Sequence, residues 1–390
     1  MRRQALREAP SQPMAVAEKL KVLEAEAPAV AAPAGIAAMR SYFALLSLLA
    51  LVAFVLGVEN RFTATGLFVL PPPVDFLPPL TGEAWSRAFA VHQQDPAFAA
   101  CGGTETLAQF KLLYWWEWAR RASVLALTLA VAAGLYGAGI SQRFRAALPR
   151  LAGLAALAAA WWPARLAVEL ATEINPNLSS FNVGQYRHAV DLAFASIAIA
   201  VVVASALVPP RPALAAASRP NDRAEWFWIA AIVLDICFGA LFASCNAAAS
   251  WPSWPGYDHQ VLPPLSQLTS YAPWWLNLTF NPYGIQLAHR AVSTALWITA
   301  AWQLGAVLLR RRRASRALAR FALISAQAAS GVATLLLGIP APLSIVHQVG
   351  GIILLAASLA FLLIGRAKPV ARKRRIVSAR PEAVAIATSP

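Results

Sequence analysis

Eight apolar segments, each long enough to cross a lipid bilayer, restrict what this chain can fold into. A bilayer-spanning helix needs about 20 mostly apolar residues. Of the 390 residues, 58% are hydrophobic and 13% are charged, whereas soluble domains carry roughly 25% charged residues. We therefore predict an all-α integral membrane protein with eight transmembrane helices. Their predicted limits are 41–58, 112–138, 150–170, 188–208, 226–246, 285–308, 317–338 and 343–365.

The formal net charge of +15 indicates membrane topology rather than nucleic-acid binding. The arginines and lysines form short runs at alternate ends of the apolar segments, as the positive-inside rule describes. The sequence has neither an aromatic-interleaved basic face nor zinc-finger spacing, so we exclude nucleic acid as a partner and retain membrane lipid. The charge bias predicts that both termini are cytoplasmic, and we expect a bacterial inner or plasma membrane.

Short motifs recur in the same order in the two halves of the chain, which indicates an internal repeat. A Leu-Pro-Pro-Leu motif follows the first span at 77–80 and the fifth span at 262–265. The repeat predicts two pseudo-repeated four-helix bundles, a first half at 41–210 and a second half at 226–366. The remaining segments are a disordered cytoplasmic tail, a cytoplasmic linker and a basic cytoplasmic tail, at 1–40, 211–225 and 367–390.

Two of the five histidines, His289 and His347, lie within the predicted spans of the second half. An ionisable side chain inside a membrane is costly and is usually functional. Neutral imidazoles that face each other across a helical bundle can ligate a haem iron from both sides. The alternative is that each histidine only hydrogen-bonds a neighbouring span. The repeat places Arg120 and Asp191 at the equivalent positions of the first half.

Several motifs, taken in chain order over roughly 41–366, resemble those of the heme A synthase family. In the first half, this chain has GVENRFTATGL at 57–67, QFK…EWARR at 109–121 and YRHAVDL at 186–192, where the family has GGxTRLTxSGL, EFK…EWxHR and YRLAxHL. In the second half, it has FGAL…WP at 238–255, QLAHR at 286–290 and GIP…HQ at 338–348, where the family has LGALVAG…WP, QxxHR and GVP…HQ. Ordered motifs over eight spans identify a divergent member of this family.

The resemblance implies a cofactor, a substrate and a reaction. Family members oxidise a ring methyl of heme O to the formyl group of heme A, through successive hydroxylations, for cytochrome oxidase assembly. By resemblance, His289 and His347 would hold the iron of a haem b, and Glu117 would take part in the chemistry. Heme O is then the implied substrate, and heme O synthase and cytochrome oxidase assembly factors are implied partners. A homo-oligomer is left open.

The first half departs from the family pattern, because Arg120 and Asp191 stand where the family has a second histidine pair. Arginine stays protonated and cannot ligate iron. In one interpretation the substrate haem still enters, Arg120 binds a propionate, and His188 acts as a displaced ligand. In the other, Arg120 and Asp191 form an ion pair that closes the pocket. The protein would then be a haem b-binding assembly or electron-relay protein without synthase activity.

Two further arginines, Arg290 and Arg61, are expected to pair with haem propionates, because a guanidinium matches the geometry of a carboxylate. The alternative for both is an arginine whose charged end reaches the membrane interface. The alternative for Glu117 is a charge partner for a neighbouring arginine. His92 and His259 lie in the predicted exterior loops, where we expect solvated roles.

Overall fold

The computed structural model describes residues 33–63, 77–94, 98, 104–174, 180–210, 222–257 and 260–367. These residues form twelve α-helices and no strand: α1 (Pro33–Thr63), α2 (Gly82–Gln93), α3 (Leu107–Ile140), α4 (Gln142–Arg145), α5 (Leu148–Ile174), α6 (Ser180–Leu207), α7 (Asp222–Ser244), α8 (Leu265–Leu268), α9 (Leu276–Thr279), α10 (Pro282–Leu309), α11 (Ser315–Leu336) and α12 (Ala341–Ala367). A 3-10 turn at Ala247–Ala249 follows α7.

Eight of these helices are long and apolar enough to cross a membrane: α1, α3, α5, α6, α7, α10, α11 and α12. The prediction of an all-α protein with eight spans is confirmed. Helix α1 begins at Pro33, so residues 33–40 of the predicted tail are helical. Proline at the first position suits this start, because it is well tolerated in the first turn of a helix. The rest of that tail and nearly all of the basic tail lie outside the described residues. The repeat of two four-helix halves stays a prediction.

The spanning helices form a central and an outer group. The buried share of the apolar stretch is 28% to 44% in α1, α6, α7 and α12, and 11% to 22% in α3, α5, α10 and α11. Helix α6 packs against α1, α7 and α12, so the central helices form one continuous core. Leu46, Leu192, Ile232 and Leu355 lie in this core. The outer helices expose large apolar side chains, which suits contact with lipid.

The described residues of the segments before α3 and α10, 77–94, 98, 104–106, 245–257 and 260–281, lie at one end of the bundle, which we call the loop face. We call the opposite end, with the connection 310–314, the arginine face. Just inside the arginine face, Arg320 is 3% exposed. Its Nη2 donates to Glu225 Oε2 at 2.5 Å and its Nη1 to Gln303 Oε1 at 2.9 Å. The guanidinium also lies 4.7 Å from the ring centre of Trp228. A charged pair this buried needs such partners.

On the loop face, α2 packs its apolar side onto the start of α3 and buries His92. Trp85, Phe110 and Tyr114 form the small core between the two helices. His92 is 5% exposed, its Nε2 lies 3.1 Å from Glu105 Oε2, and its ring stacks 5.1 Å from that of Phe110. The expectation of a solvated His92 is therefore wrong, because α2 turns this side chain towards α3. His259 lies outside the described residues.

Candidate functional site

His289 and His347 lie close to each other near the loop face of the bundle. His289 is in the second turn of α10, and His347 is in the second turn of α12. Their ring centres are 6.5 Å apart, and the ring planes meet at 77°. Both helices start at the loop face, so similar positions in the two helices lie at similar depths. The structure therefore brings the two sequence-predicted ligands together, which the sequence distance between them did not guarantee.

Each of the two imidazoles has a polar neighbour at its Nδ1 atom. His289 Nδ1 lies 3.1 Å from Asp235 Oδ1 of α7, although the ring orientation does not align the two atoms for a hydrogen bond. His347 Nδ1 lies 3.1 Å from Ser330 Oγ of α11. Gln327 Nε2 also donates to the backbone oxygen of His347 at 2.9 Å. No described residue hydrogen-bonds either Nε2 atom, so these atoms are available as ligands.

The spacing of the rings matches a metal held between two imidazoles. With metal–nitrogen bonds of about 2 Å, as histidine has with zinc, two opposed rings have centres roughly 6 to 6.5 Å apart. Haem iron accepts such a pair of axial ligands. Within the described residues, no group of three or more histidine, cysteine or acidic side chains is placed to hold a metal ion. The donor set thus fits an iron whose other ligands come from a porphyrin.

A glycine packs directly against each of the two rings. A Cβ atom at Gly239 of α7 would lie 3.3 Å from Cε1 of His289. A Cβ atom at Gly331 of α11 would lie 2.6 Å from Cε1 of His347, closer than any ordinary carbon contact. The two glycines therefore give the imidazoles the space in which they lie, and a larger residue at 331 would displace the ring.

In the first half, Glu117 is the centre of a charged cluster on α3. It is 1% exposed. Arg120 Nε donates to Oε2 at 2.8 Å, and Arg120 Nη2 donates to Oε1 at 2.6 Å. Arg121 Nε donates to the same Oε1 at 2.6 Å. These partners are three and four residues along the helix, where side chains share a face. The interpretation of Glu117 as a charge partner of neighbouring arginines is confirmed.

Asp191 of α6 has different partners from those expected. Trp161 Nε1 of α5 donates to Asp191 Oδ1 at 2.8 Å, and Arg165 Nε lies 3.5 Å from the same oxygen. The ion pair between Arg120 and Asp191, one of the two interpretations of the first half, is not formed in this structure. The reason is local, because Glu117 already engages the Arg120 guanidinium in a two-point contact, which is strong and directional.

Arg290 holds the loop that follows α7. It is 8% exposed, and it donates to the backbone oxygens of Trp251, Ser253 and Gly256 at 3.1, 2.7 and 3.2 Å. The guanidinium also lies 4.6 Å from the ring centre of Tyr257. The group expected to pair with a propionate is thus taken up by loop carbonyls in this structure.

The side chains of Arg61 and His188 lie outside the described residues, although both positions belong to helices. Their proposed roles towards a haem stay predictions.

Asp235 is the residue of the site that the sequence reasoning missed. It is the single charged residue between 226 and 246, in the middle of an apolar helix. An acidic side chain in a membrane span marks a functional site by the same rule that singled out the two histidines. Its place beside His289 required the packing of α7 against α10, which hydropathy does not give.

Comparison with known proteins gives a consistent family match. A family model described as "Cytochrome oxidase assembly protein" matches residues 40–359. A heme A synthase of Rhodopseudomonas palustris (strain BisB5) is 31% identical over 334 residues, which are 83% of this chain and 90% of the relative. The heme A synthase of strain HaA2 is 32% identical over 334 residues, 83% of this chain and 89% of the relative. A heme A synthase of Bradyrhizobium sp. (strain ORS 278) is 30% identical over 373 residues, which are 90% of this chain and 96% of the relative.

Proposed function

Because this chain belongs to the cytochrome oxidase assembly protein family, whose matching relatives are heme A synthases, we propose that it oxidises a methyl group of heme O towards the formyl group of heme A. The family match gives it a heme A synthase-like role in the membrane. The conversion of heme O is what we propose beyond that role. The observation that carries it is the pair of opposed imidazoles, His289 and His347, in a chain that aligns with synthases over most of its length.

We propose that His289 and His347 hold a haem b through their Nε2 atoms. Their Nδ1 atoms lie beside Asp235 and Ser330, which leaves Nε2 of each ring for the iron. A bound haem b supplies one-electron chemistry between the substrate and an external partner. The protein's own part is to fix both rings, and Gly239 and Gly331 do so by leaving space for imidazole and for little else.

In the proposed reaction the first half receives the substrate haem, and Arg120 anchors one of its propionates. A guanidinium has five N–H donors, and Arg120 uses its Nε and one donor of Nη2 on Glu117. Nη1 remains for a carboxylate. The Arg120 side chain is 35% exposed, so an incoming group can reach it. With no histidine at positions 120 and 191, binding rests on this charge contact and on apolar burial of the ring.

Glu117 has two roles in the proposal. Its Oε1 accepts hydrogen bonds from both arginines and therefore holds their guanidinium groups in one place. Its Oε2 accepts a hydrogen bond from Arg120, which adds to the hold on that guanidinium. Oxidation of a methyl carbon releases electrons and protons. In the proposal the external partner takes up the electrons, and the Glu117 carboxylate lies where it can take up a proton.

We also propose how the protein is oriented in the membrane and which proteins act before and after it. The arginine face lies in the cytoplasm, because its basic connections follow the positive-inside rule. Heme O synthase supplies the substrate, and cytochrome oxidase assembly factors receive the product. Both termini then lie in the cytoplasm.

The test is haem extraction and chromatography from membranes of a host that lacks its own heme A synthase. The host expresses this protein together with a heme O synthase. Heme A or its hydroxylated intermediate is the expected product. Arg120→Gln removes the proposed propionate anchor and lowers the yield at an unchanged protein level. Arg312→Gln, in the connection at the arginine face, is the matched control and leaves the yield as in the wild type.

A second function is favoured by one specific observation, the absence of both first-half ligand histidines. In that case the chain is a haem b-binding assembly or electron-relay protein without synthase activity. The same extraction then yields heme B and heme O alone, with about one haem b per purified chain, and the synthase proposal is refuted. Since the ion pair between Arg120 and Asp191 is not formed, closure of the pocket by that pair no longer supports this second function.

A further inference from the structure

We propose that Asp235 is a positioning residue for His289, which would make His289 the stronger electron donor of the two histidines that hold the proposed haem and would lower the reduction potential of that haem. This inference rests on the proposed haem b site between His289 and His347. Asp235 lies on α7, outside the two helices that carry His289 and His347. Its expected effect is a lower reduction potential at the site.

The position of Asp235 is fixed by a hydrogen bond from α10. Its side chain is 15% exposed, and its Oδ1 lies 3.1 Å from His289 Nδ1. The hydroxyl of Ser293 donates to the same Oδ1 at 2.7 Å. Ser293 follows His289 by four residues, so both side chains project from one face of α10. The Nδ1 atom therefore lies within 3.1 Å of a carboxylate that Ser293 already holds, and a turn of the imidazole is needed for its Nδ1–H to donate to that carboxylate.

The chemistry of a metal-bound histidine explains why this contact matters. A histidine that ligates a metal through one nitrogen usually donates its other N–H to a carboxylate, a carbonyl or water, and the acceptor increases the electron donation of the ring. For His347 the neighbour is the uncharged hydroxyl of Ser330. For His289 it is a carboxylate, so the two histidines would be unequal donors to a bound iron.

The charge of Asp235 also lies beside one of the two proposed iron ligands. Among the described residues, His289 is the one basic side chain within 4 Å of the Asp235 carboxylate. In an apolar interior a negative charge acts strongly over a few ångströms. Such a charge stabilises the oxidised, more positive iron over the reduced iron, and this lowers the reduction potential.

The alternative is a purely structural role, in which Asp235 joins α7 to α10 through its hydrogen bond with Ser293. The two roles differ in what a neutral isostere does. Asp235→Asn keeps an oxygen that accepts from Ser293, so the helix contact remains. It removes the charge and the strong acceptor for the imidazole, so only the electronic role is lost.

The experiment is a redox titration of the haem in the purified full-length protein, with haem content measured in parallel. Asp235→Asn is expected to raise the reduced-to-oxidised ratio at a fixed ambient potential about tenfold, which is ~59 mV for a one-electron couple. Ser330→Ala is the matched control at the other ligand, and it shifts the ratio much less. An unchanged ratio in Asp235→Asn at full haem content overturns the inference.

Two outcomes separate this inference from the proposed function. If the wild-type protein binds no haem, or if His347→Ala leaves the haem spectrum unchanged, the proposed site itself fails. If Asp235→Asn loses its haem, Asp235→Glu decides, because it restores a carboxylate on a longer side chain. Recovery of haem and of a low potential in Asp235→Glu supports the role of the charge, and no recovery of either overturns it.

Discussion

The contact between Gly331 and His347 gives the most direct test of the candidate site. A Cβ atom at residue 331 would lie 2.6 Å from Cε1, 3.2 Å from Nδ1 and 3.3 Å from Nε2 of His347. Non-bonded carbon atoms prefer roughly 3.5 to 4.0 Å. In Gly331→Ala the imidazole must therefore retreat by about 1 Å. Ser330 and Gln327 hold His347 from the same helix that carries residue 331, so the ring cannot retreat without disturbing them.

The size of the effect follows from the cost of overpacking. An extra methyl group in a well-packed site costs roughly 1 to 3 kcal/mol. If that cost falls on the haem-bound state, affinity decreases about 5- to 150-fold. Gly239→Ala gives a weaker form of the same perturbation, because its Cβ would lie 3.3 Å from His289. We expect a loss of only a few-fold there. Gly305→Ala of α10 is the control, since its Cβ would meet nothing within 4 Å.

The assay is the haem-to-protein ratio of the purified variants, followed by the rate of haem transfer to an excess of apomyoglobin. Gly331→Ala should transfer haem fastest, Gly239→Ala should be intermediate, and Gly305→Ala should behave as the wild type. Wild-type retention in Gly331→Ala would show that His347 does not hold the haem in the orientation described. Equal losses in all three variants would show a general effect of alanine on the helices.

Two further perturbations test the packing at the two ends of the bundle. Arg320→Met leaves Glu225 buried without its main partner, and we expect the free energy of unfolding to decrease by about 3 kcal/mol. Arg316, at 4.0 Å from Glu225, limits this decrease. A melting temperature equal to that of the wild type would contradict this expectation. Arg290→Lys loses the contacts of the planar guanidinium with the loop carbonyls and with the ring of Tyr257. Limited proteolysis should therefore cut the loop after α7 faster than in the wild type. Unchanged cleavage would show that other contacts hold this loop.

The spans were predictable because a bilayer leaves few solutions. Backbone groups in hydrocarbon must be paired within the segment, so an apolar run of sufficient length is a helix. The pairing of Glu117 with Arg120 and Arg121 was also readable, because side chains three and four residues apart share a helix face. These features depend on short stretches of chain.

The partners of Asp191 and Asp235 were not predictable in the same way. Each depends on how far a neighbouring helix is rotated about its own axis. Helices α6 and α7 are apolar nearly all round, so hydropathy does not select the side that faces a given neighbour. Trp161 and Arg165 of α5, four residues apart, reach Asp191 together only because that helix presents this face to α6.

The burial of His92 shows the same limit in a connecting segment. Its position between two spans predicts solvent contact, and loops usually lie at the surface. A helix within the segment changes this, because α2 has an apolar side that α3 can cover. The sequence signal was the pattern of Trp85, Phe89 and His92, spaced by four and three residues.

The division into central and outer helices has a consequence for handling this protein. In the apolar stretches of α3, α5 and α10, 11% of the residues are buried by protein. Much of the surface of these helices is therefore left for acyl chains to cover, and a detergent must cover it when the protein is purified. Apparent stability is then a joint property of chain and amphiphile, as for any ligand that binds the folded state. Helix α10 carries His289, so the choice of detergent directly affects the helix that positions one of the two histidines.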